Sequence, residues 1–297
     1  MSRFERRVSG MKSLVAAWAV MFAGCVGAQA QAAPATSTTT VSAATMQTEA
    51  AVSAGLRGKP LYLRGAWMQN KLTFDGQGNL IGKLPSGPFT LAGFQFSKAK
   101  IRGDHLWISG ERVGIAFDNN GVHRQVISGL TIDIDNHGGD DFGPAVSAIF
   151  ADGLSDLTPS MPSYWQAYAQ KNFAGQMDTS IKNSTVDIWK LHKQKQQEDG
   201  AKTMHVGGSV RPPKLLNSVN PDFTGVARAL KANGDVQVYL WVESDGSISH
   251  LQVARPAGLG LDENALAAVS QYKFAPAMRD GIPVTVDLYV DVNFRIF

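Results

Sequence analysis

A long alternation of apolar and polar residues near the C-terminus constrains the fold of this chain more than any other feature. Between residues 284 and 296 every second side chain is apolar, which predicts a β-strand with one buried face. Because the usual strand has about five or six residues, we expect part of this one to lack a partner. An unpaired edge exposes backbone N–H and C=O groups that can accept another extended chain. The apolar positions are Val284, Val286, Leu288, Val290, Val292, Phe294 and Ile296.

The residues before this strand predict the remainder of a small α+β unit. Two alternating runs, over residues 236–242 and 248–253, flank a glycine-containing turn and predict a β-hairpin. A helix with Asp262 as its N-cap is predicted between the hairpin and the last strand. An earlier helix is predicted over residues 222–232. The predicted order is therefore helix, hairpin, helix, strand.

Short motifs follow one another in a fixed order over the last third of the chain. They are Asn220-Pro221-Asp222-Phe223, Gly234-Asp235-Val236, Asp245-Gly246, Leu261-Asp262 with Ala265 and Ala268, Tyr272-Lys273-Phe274-Ala275-Pro276, and Val292-Asn293-Phe294. In this order and spacing, residues 205–297 resemble the C-terminal domain of the TonB family, the periplasmic energy transducers of Gram-negative bacteria. One departure is Thr224, which stands where the family usually has a second proline.

The resemblance implies a partner and a binding surface. In the family, the N-terminal segment of a TonB-dependent outer-membrane receptor adds as a strand beside the last strand of the sheet. The alternative from the residues alone is that this edge pairs within its own sheet or with a second copy to form a homodimer. Replacing Val290 by proline is expected to remove a ladder donor and abolish capture. The residues carried over as partner-binding are Asn220, Pro221, Phe223, Leu288, Tyr289, Val290, Asp291, Val292, Asn293 and Phe294.

The N-terminus predicts export from the cytoplasm. A basic start precedes an apolar run over residues 14–28 and a small-residue cleavage sequence, which is typical of a secretory signal peptide over residues 1–30. The run is shorter than the roughly 20 residues that a straight membrane-spanning helix needs. We therefore predict a periplasmic protein with a cleaved signal. An uncleaved inner-membrane anchor and a lipoprotein acylated at Cys25 are the alternatives.

Two features of the classical transducer are absent from the first part of the sequence. The family couples to the ExbB-ExbD motor through a helix with a serine and a histidine four residues apart, but here Ser13 is followed by Ala17 and the first histidine is His105. Residues 31–55 are rich in Ala, Thr and Ser instead of proline, and predict a flexible linker. Coupling to ExbB-ExbD is thus left open, whereas peptide capture does not depend on these features.

A second, β-rich domain is predicted over residues 56–175, followed by a linker or helix over residues 176–204. The overall expected class is α+β: an antiparallel three-stranded sheet with two helices, preceded by a β-rich meander or half-barrel with covering helices near residues 144–151 and 164–173. Its aromatic residues are expected to fill a core, with a lipid-binding cavity as the alternative. The predicted strands cover residues 61–64, 72–74, 80–84, 89–96, 105–109, 113–117 and 130–134.

The sequence predicts no catalytic residue, cofactor or metal, and hence no enzyme. The acidic run over residues 133–141 begins like an EF-hand calcium loop, but Pro144 stands where the bidentate acid is required. The only cysteine, Cys25, lies in the export segment. A formal net charge of +3 on 297 residues also argues against a nucleic-acid-binding protein.

Overall fold

The structure, a computed structural model, describes residues 45–174 and 203–296 and has the predicted α+β class. The described residues all belong to one compact unit. The described α-helices are α1 (Glu49–Leu56), α2 (Gly143–Ile149), α3 (Gly153–Leu157), α4 (Ser163–Asn172), α5 (Gly225–Ala229) and α6 (Leu261–Val269). The described strands are β1 (Leu61–Leu63), β2 (Lys71–Asp75), β3 (Gly93–Arg102), β4 (His105–Asp118), β5 (Gly121–Asp135), β6 (Phe150–Asp152), β7 (Val210–Arg211), β8 (Lys214–Asn217), β9 (Gly234–Val242), β10 (Ile248–Arg255), β11 (Lys273–Ala275), β12 (Ala277–Arg279), β13 (Ile282–Val284) and β14 (Val286–Phe294).

Several predictions fall on residues outside the described ranges. These are the signal peptide over residues 1–30, the first part of the linker over residues 31–55, and nearly all of the linker over residues 176–204. Within the described ranges, no helix is both long enough and apolar enough to cross a membrane.

The first sheet is built around a long antiparallel meander of β3, β4 and β5. Its six strands have the order β2-β5-β4-β3-β1-β6, and β2 pairs with β5 in parallel. The sheet is therefore mixed, whereas the predicted meander would be antiparallel throughout. The predicted strands at residues 105–109 and 113–117 are one strand, β4, whose register with β5 shifts between Arg112, opposite Ser128, and Val113, opposite Val126. The polar break between them is the buried Arg112, whose guanidinium donates to the carbonyls of Leu91 and Gln69.

Helices and aromatic side chains cover this sheet. Helix α1 lies in the stretch predicted as a flexible linker. It is ordered because Thr48 caps it by accepting the N–H of Ala51 (3.1 Å) and because its Val52 is fully buried. Helix α4 places Trp165, with 0% exposure, edge-on against Phe89 at 4.6 Å between ring centroids. The aromatic residues of this region pack against one another, as expected for a core.

The C-terminal sheet is antiparallel and has the order β10-β9-β14. Strand β14 pairs with β9 along its whole length, from Val286 opposite Val242 to Phe294 opposite Gly234. The predicted strand also included residues outside β14. Of these, Val284 belongs to β13 in another sheet, and Ile296 is exposed. Strands β13, β12 and β7 form a three-stranded sheet, and β11 pairs with β8.

Both C-terminal helices begin at residues other than those predicted. The helix predicted over residues 222–232 is limited to α5, because the Oγ1 of Thr224 accepts the N–H of Ala227 (3.0 Å) and caps it there. Thr224, the residue that stands in place of the family's proline, is thus the N-cap of α5. Helix α6 begins at Leu261 after Gly260, so Asp262 is its second residue and not its N-cap.

Backbone hydrogen bonds cross the predicted boundary between the β-rich and C-terminal regions. Ala116 in β4 forms an antiparallel bridge with Gly258, and the N–H of Phe117 donates to the carbonyl of Ala257 (2.9 Å). Gly258 has a φ of 87°, and a Cβ there would lie 2.1 Å from the carbonyl oxygen of Ile115. Because that contact leaves no room for a side chain, the close approach requires glycine. We call this contact the seam.

Asp262 holds the loop that forms the seam. Its carboxylate is fully buried and accepts the N–H groups of Ala257 and Gly258, each at 2.8 Å. Burial, together with the neighbouring Glu263, raises the pKa of Asp262, while these two hydrogen bonds favour the charged form. Glu263 accepts the indole N–H of Trp165 at 3.0 Å, which links α6 to α4.

We expect Asp262→Ala to lower the free energy of unfolding by about 1–3 kcal/mol, because it leaves buried N–H groups of Ala257 and Gly258 without an acceptor. Urea unfolding of the full chain, followed by tryptophan fluorescence, measures this. Gln271→Ala, at an exposed position after the same helix, serves as the control and is expected to change stability by less than about 0.5 kcal/mol. Equal stability of the two variants would contradict this role of Asp262.

Candidate functional site

The candidate site is the outer edge of β14. This strand ends the three-stranded sheet, and β9 pairs with its inner side only. On the outer side, the described part of the chain makes a backbone contact through the parallel bridge between Met204 and Val286. Beyond that bridge, no strand within residues 45–174 and 203–296 lies beside β14.

Two hydrogen bonds determine which backbone groups point to the outer edge. The carbonyl of Thr285 accepts the N–H of Met204 (2.9 Å) and so points away from β9. At the hairpin, the N–H of Glu243 donates to Ser247 (2.8 Å) toward β10, so by alternation the even-numbered residues of β9 point to β14. Their partners in β14 are also even-numbered. The residues of β14 with outward N–H and C=O groups are Asp287, Tyr289, Asp291 and Asn293.

This orientation changes the meaning of one substitution. The N–H of Val290 faces β9, so Val290→Pro would break the ladder inside the sheet and not the outer edge. That Val290→Pro abolishes capture stays a prediction, but a loss of binding in this variant would not separate the outer edge from the fold of the sheet. Asp291, the next residue, has an outward N–H and an exposed side chain.

The side chains of β14 divide between the two faces of the sheet. The even-numbered residues Val286, Val292 and Phe294 are buried, and Leu288 and Val290 pack partly buried against the core. On the other face Asp291 and Asn293 are exposed, and Tyr289 is about one-third exposed at 36%. The predicted site residues of β14 thus separate into core residues and edge-facing residues.

Asp287 departs from this alternation, since it lies on the polar face but is only 4% exposed. Its carboxylate accepts the hydroxyl of Thr203 at 3.3 Å. Burial raises the pKa of Asp287, and the hydrogen bond from Thr203 opposes this effect. The segment around Thr203 therefore covers the start of the outer edge.

The structure brings Phe223, one of the predicted partner-binding residues, to the other end of β14. Phe223 packs edge-on against Phe294, with 5.3 Å between ring centroids and an angle of 87° between the rings. The amide of Asn264 donates to the carbonyl of Asp222 at 2.6 Å, which holds the loop around Phe223 against α6. The neighbouring Asn220 is exposed and Pro221 is partly buried.

Two polar residues that the sequence analysis did not single out contact the exposed edge. Gln237 in β9 donates to the carboxylate of Asp291 (3.1 Å), and Arg255 at the end of β10 lies 3.4 Å from the same oxygen. Sequence spacing gave no signal for them, because their proximity to Asp291 depends on the register of three strands. At the end of the sheet, Arg295 forms an ion pair with Asp235 at 2.6 Å.

One cluster in the first sheet has ligand types that bind metals. Single ligand atoms of Asp104, His105 and Asp135 lie within 4.8 Å of one another. The ring of His105 is engaged through Nδ1 with Asp133 at 3.0 Å, and this hydrogen bond raises the pKa of His105. Because Asp133 already engages one ring nitrogen of His105, we interpret the cluster as a hydrogen-bonded network of the histidine with its acidic neighbours. The expectation that no metal binds stays a prediction.

Comparisons with known proteins concern the C-terminal region. The family model for the Gram-negative bacterial TonB protein C-terminal matches residues 219–296. Protein TonB of Vibrio cholerae serotype O1 (strain ATCC 39315 / El Tor Inaba N16961) is 29% identical over 87 residues, which are 29% of this chain and 36% of that protein. The chain thus spans about a third of the length of this curated relative.

A solved structure also aligns with this region. The solution NMR structure of the Pseudomonas aeruginosa TonB CTD is 23% identical and covers 32% of this chain and 96% of that chain, with a TM-score of 0.26. A score this low carries no argument about the fold. The family match and the Vibrio relative confirm the resemblance found in the sequence and support the prediction of a non-enzymatic protein. The C-terminal region of this chain, over residues 219–296, is therefore a member of the TonB C-terminal domain family.

Proposed function

We propose that this protein is a periplasmic TonB-like protein that binds the N-terminal segment of a TonB-dependent outer-membrane receptor. The segment adds as a strand to the outer edge of β14, and this binding supports energy-dependent transport across the outer membrane. The observation that carries the proposal is the position of β14 at the end of its sheet, within the matched residues 219–296.

Backbone pairing accounts for part of the binding energy. Asp291 and Asn293 offer two outward N–H groups and two outward carbonyls to an added strand. At about 0.5–1.5 kcal/mol for each net hydrogen bond, these contribute about 2–6 kcal/mol. Micromolar binding needs about 8 kcal/mol, so side-chain contacts must supply the rest. Phe223, partly buried against Phe294 at the end of the strand, is placed to make such a contact.

The seam supports this proposal because it holds the sheet in a larger rigid frame. The loop after β10 is hydrogen-bonded to β4, and α6 is linked to α4 through Glu263 and Trp165. A pre-ordered edge loses little conformational entropy when a strand is added. It also means that binding should be measured on the full chain, since a fragment starting near residue 205 would lose the contacts with β4.

The remaining parts of the proposal concern location and coupling. A cleaved signal peptide at residues 1–30 would release the protein into the periplasm, with an inner-membrane anchor or a lipid at Cys25 as alternatives. ExbB-ExbD is a candidate motor partner of the anchored form. The alternatives to receptor binding are a homodimeric envelope adaptor that uses the same edge and a lipid carrier built on the β-rich region.

We expect Asp291→Pro to weaken binding of a receptor N-terminal peptide at least tenfold, because proline removes an outward N–H and restricts the edge. The N–H of residue 291 does not face β9, so the sheet should stay folded. Asp291→Ala is the matched control: it loses the same contacts with Gln237 and Arg255 but keeps the N–H. Fluorescence anisotropy with a labelled synthetic peptide gives the affinities, and circular dichroism checks the fold. Equal affinity of the two folded variants would refute strand addition at this edge.

We expect the full chain to sediment as a monomer at the micromolar concentrations used for peptide binding. Exposed polar side chains, here Asp291 and Asn293, are a common protection of strand edges against self-pairing. Analytical ultracentrifugation over a hundredfold range of concentration checks this. A dimer that Asp291→Pro dissociates, in a protein that binds no receptor peptide, would instead assign the edge to self-association.

A further inference from the structure

The start of the outer edge is already occupied by the chain itself. Residues 203–205, which we call the strap, lie beside the first residues of β14. The N–H of Met204 donates to the carbonyl of Thr285 at 2.9 Å, and Met204 forms a parallel bridge with Val286. The strap therefore makes with β14 the kind of contact that an added strand would make.

Side chains hold the strap in place. The hydroxyl of Thr203 donates to the carboxylate of Asp287 (3.3 Å), which is buried to 4% exposure. Met204 packs partly buried against the core, and its sulfur accepts a weak hydrogen bond from Arg279 at 3.9 Å. After the strap the chain turns between Gly207 and Val210 into β7, which pairs with β12. The strap is thus anchored on its C-terminal side.

We propose that the strap is an intramolecular competitor for the docking edge, an inference that rests on the proposed function. Neighbouring strands lie about 4.8 Å apart, so one strand at a time can occupy a given stretch of edge. A partner strand that extends to the carbonyl of Thr285 or the N–H of Asp287 must displace the strap. Partner strands confined to residues 289–293 would bind beside it. The strap thereby regulates how much of β14 a partner can use.

The strength of the strap suits a displaceable element. Within the described residues, its backbone contact with β14 is an isolated bridge and not a continuous ladder, and the Thr203 hydroxyl adds a hydrogen bond. Net hydrogen bonds in water are individually weak, so a partner strand with several of them can replace it. With such a competitor, the apparent association constant of the partner is its intrinsic value multiplied by the fraction of molecules in which the strap is released.

We expect Met204→Pro in the full chain to bind a receptor N-terminal peptide about two- to tenfold more tightly than the unmodified protein, since it removes the N–H that donates to Thr285. Met204→Ala, which keeps the N–H and trims the side chain, is the matched control and should bind with nearly unchanged affinity. The peptide must be long enough to pair with all of β14. A second variant, Thr203→Ala, loosens the strap without proline and should raise affinity by a smaller factor.

Amide hydrogen exchange gives a readout that does not depend on the peptide. The N–H of Asp287 points toward the strap, so its exchange should be faster in Met204→Pro than in Met204→Ala. Tighter binding with faster exchange supports the inference, as does binding seen in Met204→Pro alone. If the unmodified protein binds and the folded variants bind no better, the competitor role is wrong and the proposed function stands. If neither the unmodified protein nor any variant binds, both are wrong.

Discussion

The antiparallel ladder between β9 and β14 is the interaction on which the candidate site depends. It runs without a bulge from Val286 opposite Val242 to Phe294 opposite Gly234. Because it uses the backbone groups of even-numbered residues, it leaves those of odd-numbered residues pointing outward. The same ladder buries the even-numbered side chains over α6 and the core. One register therefore sets both the core of this sheet and the chemistry of its edge.

The β-rich region and the C-terminal region contact each other directly and are not two separate domains joined only by a linker. The carboxylate of Asp262 holds the loop residues Ala257 and Gly258 in the shape that lets them bond to β4. Its neighbour Glu263 links the same helix to Trp165. Two adjacent acidic residues thus support the contact between the family-related sheet and the β-rich region, in addition to the backbone hydrogen bonds of the seam. The other side of that sheet, at β14, is where the strap meets the edge.

Much of the C-terminal region could be predicted from the sequence. Alternation predicted the hairpin and the last strand, since a period of two specifies a half-buried strand wherever it occurs. Local rules were less accurate at helix ends: Asp262 has the character of an N-cap but serves the seam, and Thr224 caps the helix that was expected to begin at residue 222. The long strand β4 was predicted as two, because a polar stretch indicates a break unless its side chain finds buried hydrogen-bond acceptors. The guanidinium of Arg112 finds them in the carbonyls of Leu91 and Gln69.

The sequence by itself determined the α+β class, the family of residues 219–296 and which side chains of β14 face the core, because side-chain period and motif order are local properties. Only the tertiary structure decided which backbone groups face outward, that Gln237 and Arg255 meet Asp291, and that residues 203–205 cover the start of the edge. These contacts depend on strand register and on the path of distant segments. Hydrogen-bond direction in a strand follows from its partner, which no local pattern specifies.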